Sequence, residues 1–167
     1  MYRLNNLSLS AREKEHNIIL VKLLNDSFFH CVKSKHKISL QNIDSFFEEL
    51  VNTEIISLFN NDSLIGFLEL SAIDTFNKSS MLNIVIDPIS FDFLKNGGAL
   101  IKMISEYLLR MRGFNKISTD ILMDDSAVIA LFKQRQFIPE IHKRAHRFVS
   151  GQYKTVVELS LLGSDLS

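Results

Sequence analysis

The stretch from residue 80 to residue 123 constrains the fold most, because it predicts a strand, a helix and a second strand in succession. "SMLNIVID" is mainly apolar and stops at Pro88, as a buried strand does. In the next segment apolar residues recur at intervals of three, four and seven, which predicts a helix over residues 98–112 that ends at Gly113. "NKISTDILM" predicts the following strand. Strands joined through a helix pair in parallel, so we expect a parallel pair in the sheet.

The N-terminal part of the chain predicts one strand and two helices. "YRLNNLSL" alternates weakly and is short enough for a first strand. Ser10 followed by Glu13 forms a capping-box pattern, so we expect a helix from about Ala11 towards Val32, with Cys31 near its buried side. "LQNIDSFFEELV" has apolar residues at helical spacing and predicts the second helix.

The remaining segments predict two hairpins and a short helix. "EIISLFNNDSLIGFLELSAID" changes to a strand-like pattern and turns at residues 60–63. "DSAVIALFKQ" predicts a helix capped by Asp125 or Ser126, and the C-terminal segment predicts a hairpin that turns at residues 150–152. This order predicts an α/β (α+β) fold in one domain, residues 1–167, whose mixed central sheet has about seven strands and about four helices.

Charge and cysteine content exclude several classes of function. The 167 residues include 19 Lys plus Arg and 19 Asp plus Glu, so no net charge would recruit nucleic acid or an anionic membrane surface. Cys31 is the only cysteine, which excludes an intramolecular disulfide and a thiolate zinc site. The start of the chain is polar and no apolar run approaches the roughly 20 residues that span a bilayer, so we expect a cytoplasmic protein.

Four segments carry a family resemblance in the expected order. They are "LIGFLELSAID", "GALIKMISEYLLRMRGFNKISTDI", "DDSAVIALFKQRQF" and "HRFVSGQYKTVVELSLL". With them the chain resembles the GNAT superfamily of acetyl-coenzyme A dependent N-acetyltransferases over nearly its whole length. It looks most like the branch that holds ribosomal-protein alanine N-acetyltransferases and bacterial amino-sugar N-acetyltransferases. The resemblance implies the GNAT fold, acetyl-coenzyme A (acetyl-CoA) as co-substrate and no metal.

The resemblance also implies where the co-substrate would bind. Acetyl-CoA would lie in an opening between the strand over residues 82–87 and the strand over residues 116–123. Backbone amides of the first strand would hold the pantetheine and polarise the acetyl carbonyl, and these amides belong to Ile84, Val85 and Ile86. The pyrophosphate would rest on amides at the start of the next helix, in the loop formed by Lys95, Asn96, Gly97 and Gly98.

Four positions depart from the family pattern. Asp92 stands where the phosphate loop usually has Arg or Gln, and only Gly97 matches an expected small residue. Asp125 replaces an Asn that usually contacts the cofactor, and a carboxylate accepts hydrogen bonds but cannot donate them as an amide does. Phe132 replaces the Tyr that protonates the departing thiolate in many members, and Gln136 replaces a Gly. A thiol with a pKa near 8.5 is already a tolerable leaving group, so the missing hydroxyl would slow the reaction without forbidding it.

Transfer to an amine also needs a group that takes up a proton. Three carboxylates near the expected opening are candidate bases, each with a solvated or capping role as the alternative: Asp87, Glu69 and Asp120. His142 and His146 are four apart on a predicted strand, which places them on one face, but further ligands for zinc are missing. His146 and Arg147 are candidates for binding an acidic acceptor, with a solvated hairpin face as the alternative.

Two functions follow from these observations. The first is transfer of an acetyl group to a primary amine of a small molecule, such as a nucleotide-linked amino sugar, or of a protein N-terminus. The alternative is a GNAT-fold binding or regulatory module in which acetyl-CoA binding is weakened or lost. An exposed final strand would allow the chain to pair as a homodimer.

Overall fold

The computed structural model describes residues 1–26, 38–149 and 151–166. Cys31, Val32 and Ser150, which the sequence placed in a helix and a turn, lie outside these residues. The chain divides into two compact units. The first unit comprises Met1–Ile73 and Asn83–Phe91, and the second comprises Asp74–Leu82 and Asp92–Ser167.

In the first unit, antiparallel strands follow one another in chain order. They are β1 (Tyr2–Leu4), β2 (Leu7–Ala11), β3 (Glu54–Asn60) and β4 (Ser63–Asp74). The C-terminal half of β5 (Ser79–Ile86) follows β4 in the sheet. The single N-terminal strand predicted from the sequence is wrong, because β1 and β2 form a hairpin. Asn5 takes a left-handed φ of 55° in the turn between them, a conformation that Asn adopts more readily than most residues.

Two helices complete the first unit: α1 (Asn17–Asp26) and α2 (Ile43–Glu48). The predicted start at Ala11 is wrong, since Ser10 and Ala11 belong to β2. Glu13 instead precedes a 3₁₀ turn before α1, and its amide donates to His16 Nδ1 (3.1 Å). The core of this unit is formed by apolar side chains from both helices and the strands, among them Leu20, Leu23, Leu24, Ile43, Phe67 and Val85.

In the second unit the strand order is β5, β6, β8, β7, with β6 at Lys116–Leu122, β7 at Ile138–Val149 and β8 at Gln152–Leu162. The predicted parallel pair is present, because β5 pairs with β6 in parallel from Ser79–Lys116 to Met81–Ser118. The predicted C-terminal hairpin is also present as the antiparallel pair of β7 and β8.

The helices of the second unit are α3 (Phe93–Glu106), which continues as a π-helical turn at Tyr107–Met111, and α4 (Ser126–Lys133). The described residues thus form a mixed sheet of eight strands with four α-helices, which confirms the predicted fold class. None of the helices in these residues is long and apolar enough to cross a membrane.

Candidate functional site

Glu69, a candidate base, lies on β4 in the first unit and is completely buried. Its Oε2 accepts a hydrogen bond from Asn83 Nδ2 at 3.3 Å. Asn83 belongs to the C-terminal half of β5, immediately before the three residues expected to hold the pantetheine. A buried carboxylate needs such partners, because an isolated buried charge costs several kcal/mol by general estimates.

The end of β5 is fixed against β4 by a close backbone approach at Gly66. A Cβ atom at this position would lie 2.1 Å from the Val85 carbonyl oxygen, so only glycine fits. The amide of Asp87 donates to the Ile65 carbonyl at 2.9 Å. Residues Ile84–Ile86 are therefore held in a defined position within the first unit, and their role in binding acetyl-CoA stays a prediction.

Asp87, the second candidate base, stabilises the turn that follows β5. Its carboxylate accepts from Ser90 Oγ at 2.7 Å and from the Ile89 amide at 3.4 Å, and Lys22 Nζ lies 3.8 Å away. The Ser90 hydrogen bond, with smaller contributions from the Ile89 amide and Lys22, lowers the pKa of Asp87 below its ordinary value. A carboxylate with a lowered pKa is a weak proton acceptor, so this geometry favours a structural role.

The start of α3 differs from the predicted phosphate loop. Asp92 is the N-cap residue, and its side chain accepts from the Lys95 amide at 3.1 Å, while the Asn96 amide donates to the Asp92 carbonyl at 3.0 Å. The helix therefore begins at Phe93 rather than Gly98. Lys95, Asn96, Gly97 and Gly98 lie within its first turns and not in a loop, because Asp92 supplies the cap that the sequence reading had not considered.

The two positions on α4 that depart from the family pattern have structural roles. Asp125 is the N-cap, and its carboxylate accepts from the Val128 amide at 3.4 Å, which confirms one of the two predicted caps. Phe132 is 3% exposed and packs edge-to-face on Phe137, with ring centroids 5.0 Å apart. The phenylalanine therefore occupies the apolar interior of the second unit.

Asp120, the third candidate base, belongs to a cluster of charged side chains on β6, β7 and β8. Its side chain is 5% exposed and receives Lys143 Nζ at 2.9 and 3.0 Å. The same ammonium lies 2.7 Å from Glu158 Oε2, and His146 Nε2, on a half-exposed ring, lies 3.9 Å from Asp120. Burial alone would lower the pKa of Lys143, but the hydrogen bonds that its ammonium donates to Glu158 and Asp120 outweigh burial and raise this pKa.

A bulge in β7 brings these groups together. In a regular strand Lys143 and His146 would face opposite sides, since side chains alternate. The pairing with β8 shifts between Lys143 and Arg147, and Ala145 takes a left-handed φ of 47°. The prediction that His142 and His146 share a face is therefore wrong: His142 precedes Lys143 in the regular part of the strand and points away from it.

Two residues that the sequence did not single out are Ser105, which belongs to α3, and Arg135, which lies against Gly98 of the same helix. A Cβ at Gly98 would come within 3.0 Å of Arg135 Nη2, so the glycine leaves room for the guanidinium group. The sequence signal was therefore Gly98 itself, which the resemblance assigned to the phosphate-binding loop at the start of the helix. In the described part of the chain, no group of three or more His, Cys, Asp or Glu side chains is arranged to hold a metal ion.

No protein-family model and no curated protein gives a significant match to this sequence. Solved structures do match. The dodecameric spermidine N-acetyltransferase of Vibrio cholerae aligns with a TM-score of 0.85 over 96% of both chains, at 19% identity. The chain has the GNAT fold.

Two further structures of SpeG from Vibrio cholerae agree. A point mutant of this spermidine N-acetyltransferase aligns with a TM-score of 0.84, at 19% identity, over 98% of this chain and 97% of that chain. The spermidine/spermine N-acetyltransferase in complex with manganese ions aligns with a TM-score of 0.82, at 20% identity, over 95% of this chain and 94% of that chain. These neighbours act on polyamines by name, so the predicted ribosomal-protein and amino-sugar branch is not confirmed.

Proposed function

We propose that this protein is an acetyl-CoA-dependent N-acetyltransferase that acts on a primary amine of a small molecule. The observation that carries the proposal is the likeness to spermidine N-acetyltransferases along almost the entire length of both chains. A match confined to part of the fold would support only a shared architecture. Here the match covers 96% of both chains.

In the proposed reaction the neutral acceptor nitrogen attacks the acetyl carbonyl carbon, the carbon–sulfur bond breaks, and coenzyme A leaves as a thiolate. The nitrogen gives one proton to a base. Among the three candidates we favour Asp120, because the half-exposed ring of His146 lies 3.9 Å away and connects this carboxylate, which also pairs with Lys143, to solvent. Glu69 is fully enclosed and Asp87 has a lowered pKa, and both features oppose proton exchange.

The acceptor remains a choice among three amines that differ in charge. Spermidine is the substrate named for the neighbouring structures, a nucleotide-linked amino sugar would use the basic side chains His146 and Arg147, and a protein N-terminus is the third. We favour a small molecule because the chain carries no net charge that would attract a large charged partner. A cytoplasmic location, a bacterial source and pairing as a homodimer belong to the same proposal.

Titration calorimetry with acetyl-CoA, followed by mass detection of acetylated spermidine, amino sugar and alanine-terminated peptide, tests the proposal. We expect micromolar binding and turnover of one amine class. Absence of heat at millimolar acetyl-CoA would favour the alternative, a GNAT-fold binding or regulatory module. For the base, Asp120→Asn should lower kcat about 100-fold with acetyl-CoA affinity retained, whereas Asp124→Asn, an exposed carboxylate paired with Lys154, is the control.

A further inference from the structure

A cavity of about 190 Å³ lies in the second unit, beside α3 and the turn that follows α4. A water molecule occupies about 30 Å³ in the liquid, so this volume has room for a small ionic group with some water. Polar side chains dominate its wall: Lys102, Ser105, Glu106, Gln134, Arg135 and Gln136.

Two polar atoms in this wall are buried without a hydrogen-bond partner. Ser105 is 2% exposed and its Oγ has no partner. Arg135 is partly exposed, but its Nε atom is buried and also has no partner. Buried polar groups in native proteins are nearly always satisfied, so an unsatisfied hydroxyl and an unsatisfied guanidinium nitrogen on residues that line one cavity point to a missing acceptor. Both atoms are donors, and the missing group is therefore expected to carry acceptor oxygens.

The position of Arg135 depends on Gly98. A side chain at Gly98 would bring its Cβ 3.0 Å from Nη2 and 3.3 Å from Nε of Arg135. With any other residue at Gly98 the guanidinium would have to shift by a few tenths of an ångström or more. Glycine is unfavourable inside a helix, so its presence here is consistent with a requirement for this space.

Gln136, like Gly98, is a residue type that the local backbone does not favour. It has a left-handed φ of 68° directly after the C-terminal end of α4, where glycine is the residue without strain. Strained backbone at a cavity supports a hypothesis of function. Gln136 lines the cavity, which is consistent with a glutamine being kept in a position suited to glycine.

We propose that this cavity binds a phosphate group, held by the guanidinium of Arg135, the hydroxyl of Ser105 and the ammonium of Lys102. Arg matches the geometry of phosphate with paired N–H donors. Lys102 and Arg135 exceed the single negative charge of Glu106, whose Oε1 lies 3.9 Å from Lys102 Nζ. The group belongs either to free phosphate or to the 3′-phosphate of coenzyme A, and only the second source rests on the proposed acetyltransferase function.

The first arm of the test uses inorganic phosphate against chloride at equal ionic strength, read as a shift in Tm. At ten times the dissociation constant, phosphate should raise the Tm of the wild type by about 3 °C. Arg135→Gln should abolish the shift, and Ser105→Ala should reduce it although removal of an unsatisfied hydroxyl leaves the protein as stable or more so. Lys133→Gln, which removes an exposed positive charge outside the cavity, is the matched control and should keep the shift.

The second arm compares the affinities for coenzyme A and 3′-dephospho-coenzyme A. If the 3′-phosphate is the ligand, coenzyme A binds at least about tenfold tighter and Arg135→Gln removes the difference.

Gln136→Gly separates binding from folding, because it should raise Tm and weaken phosphate binding. The proposal is overturned if Arg135→Gln changes neither the phosphate shift nor the preference for coenzyme A. Failure of the acetyltransferase assay with an intact phosphate shift would refute only the proposed function.

Discussion

Two aspartates that cap helices in the second unit, Asp92 and Asp125, stand at positions where the family uses other residues. Asp92 places a negative charge at the start of α3, where the resemblance would place a pyrophosphate. Asn caps helices about as well as Asp. Asp92→Asn should therefore strengthen acetyl-CoA binding by about two- to fivefold, measured by calorimetry, with little change in Tm.

Asp125→Asn at the start of α4 provides the comparison, because it makes the same chemical change at a second cap. It restores the residue type that the family uses and should also leave Tm nearly unchanged. Unchanged binding of acetyl-CoA by the Asp92 variant would show that this carboxylate lies away from the phosphates, and weaker binding would contradict the electrostatic argument directly.

Phe132 poses a different question, because a tyrosine there would carry the hydroxyl that many GNAT members use. The ring is 3% exposed, so a new hydroxyl without a partner should cost about 1–3 kcal/mol of unfolding free energy. If protonation of the leaving thiolate limits the reaction, Phe132→Tyr should raise kcat at saturating substrate despite this loss. Phe137→Tyr, on the facing ring, should lower stability similarly without a gain in kcat; an equal kcat in wild type and Phe132→Tyr excludes the proton-delivery explanation.

At the scale of elements, helix and strand identities could be predicted but several ends could not. The period of apolar residues identified α3 and the strands on either side of it, since burial imposes that period. The start of α3 was missed because the Asn-Gly-Gly sequence is also compatible with a turn. The helix begins earlier, at Phe93, because the Asp92 side chain accepts a hydrogen bond from the Lys95 amide. The bulge of β7 was missed because it depends on pairing with β8, which local sequence does not encode.

The β7 bulge makes Lys143 the central cation of a cluster that holds three strands together. Lys143→Met should lower the free energy of unfolding by about 2–4 kcal/mol at pH 7, because Asp120 and Glu158 then lose the ammonium that lies 2.9 and 2.7 Å from them. Urea denaturation provides the measurement. Lys154→Met, which removes an exposed ammonium on β8 from Asp124, is the control and should change stability little.

The pH dependence of this loss follows from the raised pKa of Lys143. The folded state holds the proton more tightly than the unfolded chain, whose lysines titrate near 10.4, so the stabilisation is complete below that pH. It disappears as pH rises through the folded-state pKa. Wild type and Lys143→Met should therefore converge in stability in strongly alkaline buffer, and a constant difference would contradict the assignment.

At the scale of the whole molecule, the order of elements was predictable while the site was only partly so. The sequence placed strands and helices in the GNAT order, since each segment carries its own periodicity. The charged cluster joins Asp120, Lys143 and Glu158 from three strands, and the cavity joins Gly98 to Arg135 from two segments. Such groupings depend on tertiary packing, so single-sequence patterns could name some of the members but not assemble them.

Acid unfolding should report on both units, because each contains a carboxylate whose pKa is held low. In the first unit the Ser90 hydroxyl lowers the pKa of Asp87, and in the second unit Lys116, assisted by Ser160, lowers the pKa of Glu140. A lowered pKa stabilises the folded state above the unfolded value near 4, and the stabilisation is lost as pH falls through the folded-state pKa. Urea midpoints should therefore fall steeply below pH 4.

Asp87→Asn and Glu140→Gln should each flatten part of that fall, because the variant has no proton to gain at that position. In the double variant the fall of the urea midpoint should be reduced by the sum of the two single effects. The two carboxylates share no hydrogen-bond partner and belong to different units, so their contributions should add. Asp44→Asn, at a carboxylate that is about half exposed beside Arg12, is the comparison for removing a carboxylate of the first unit as such. An unchanged slope in the double variant would assign the acid sensitivity to other carboxylates.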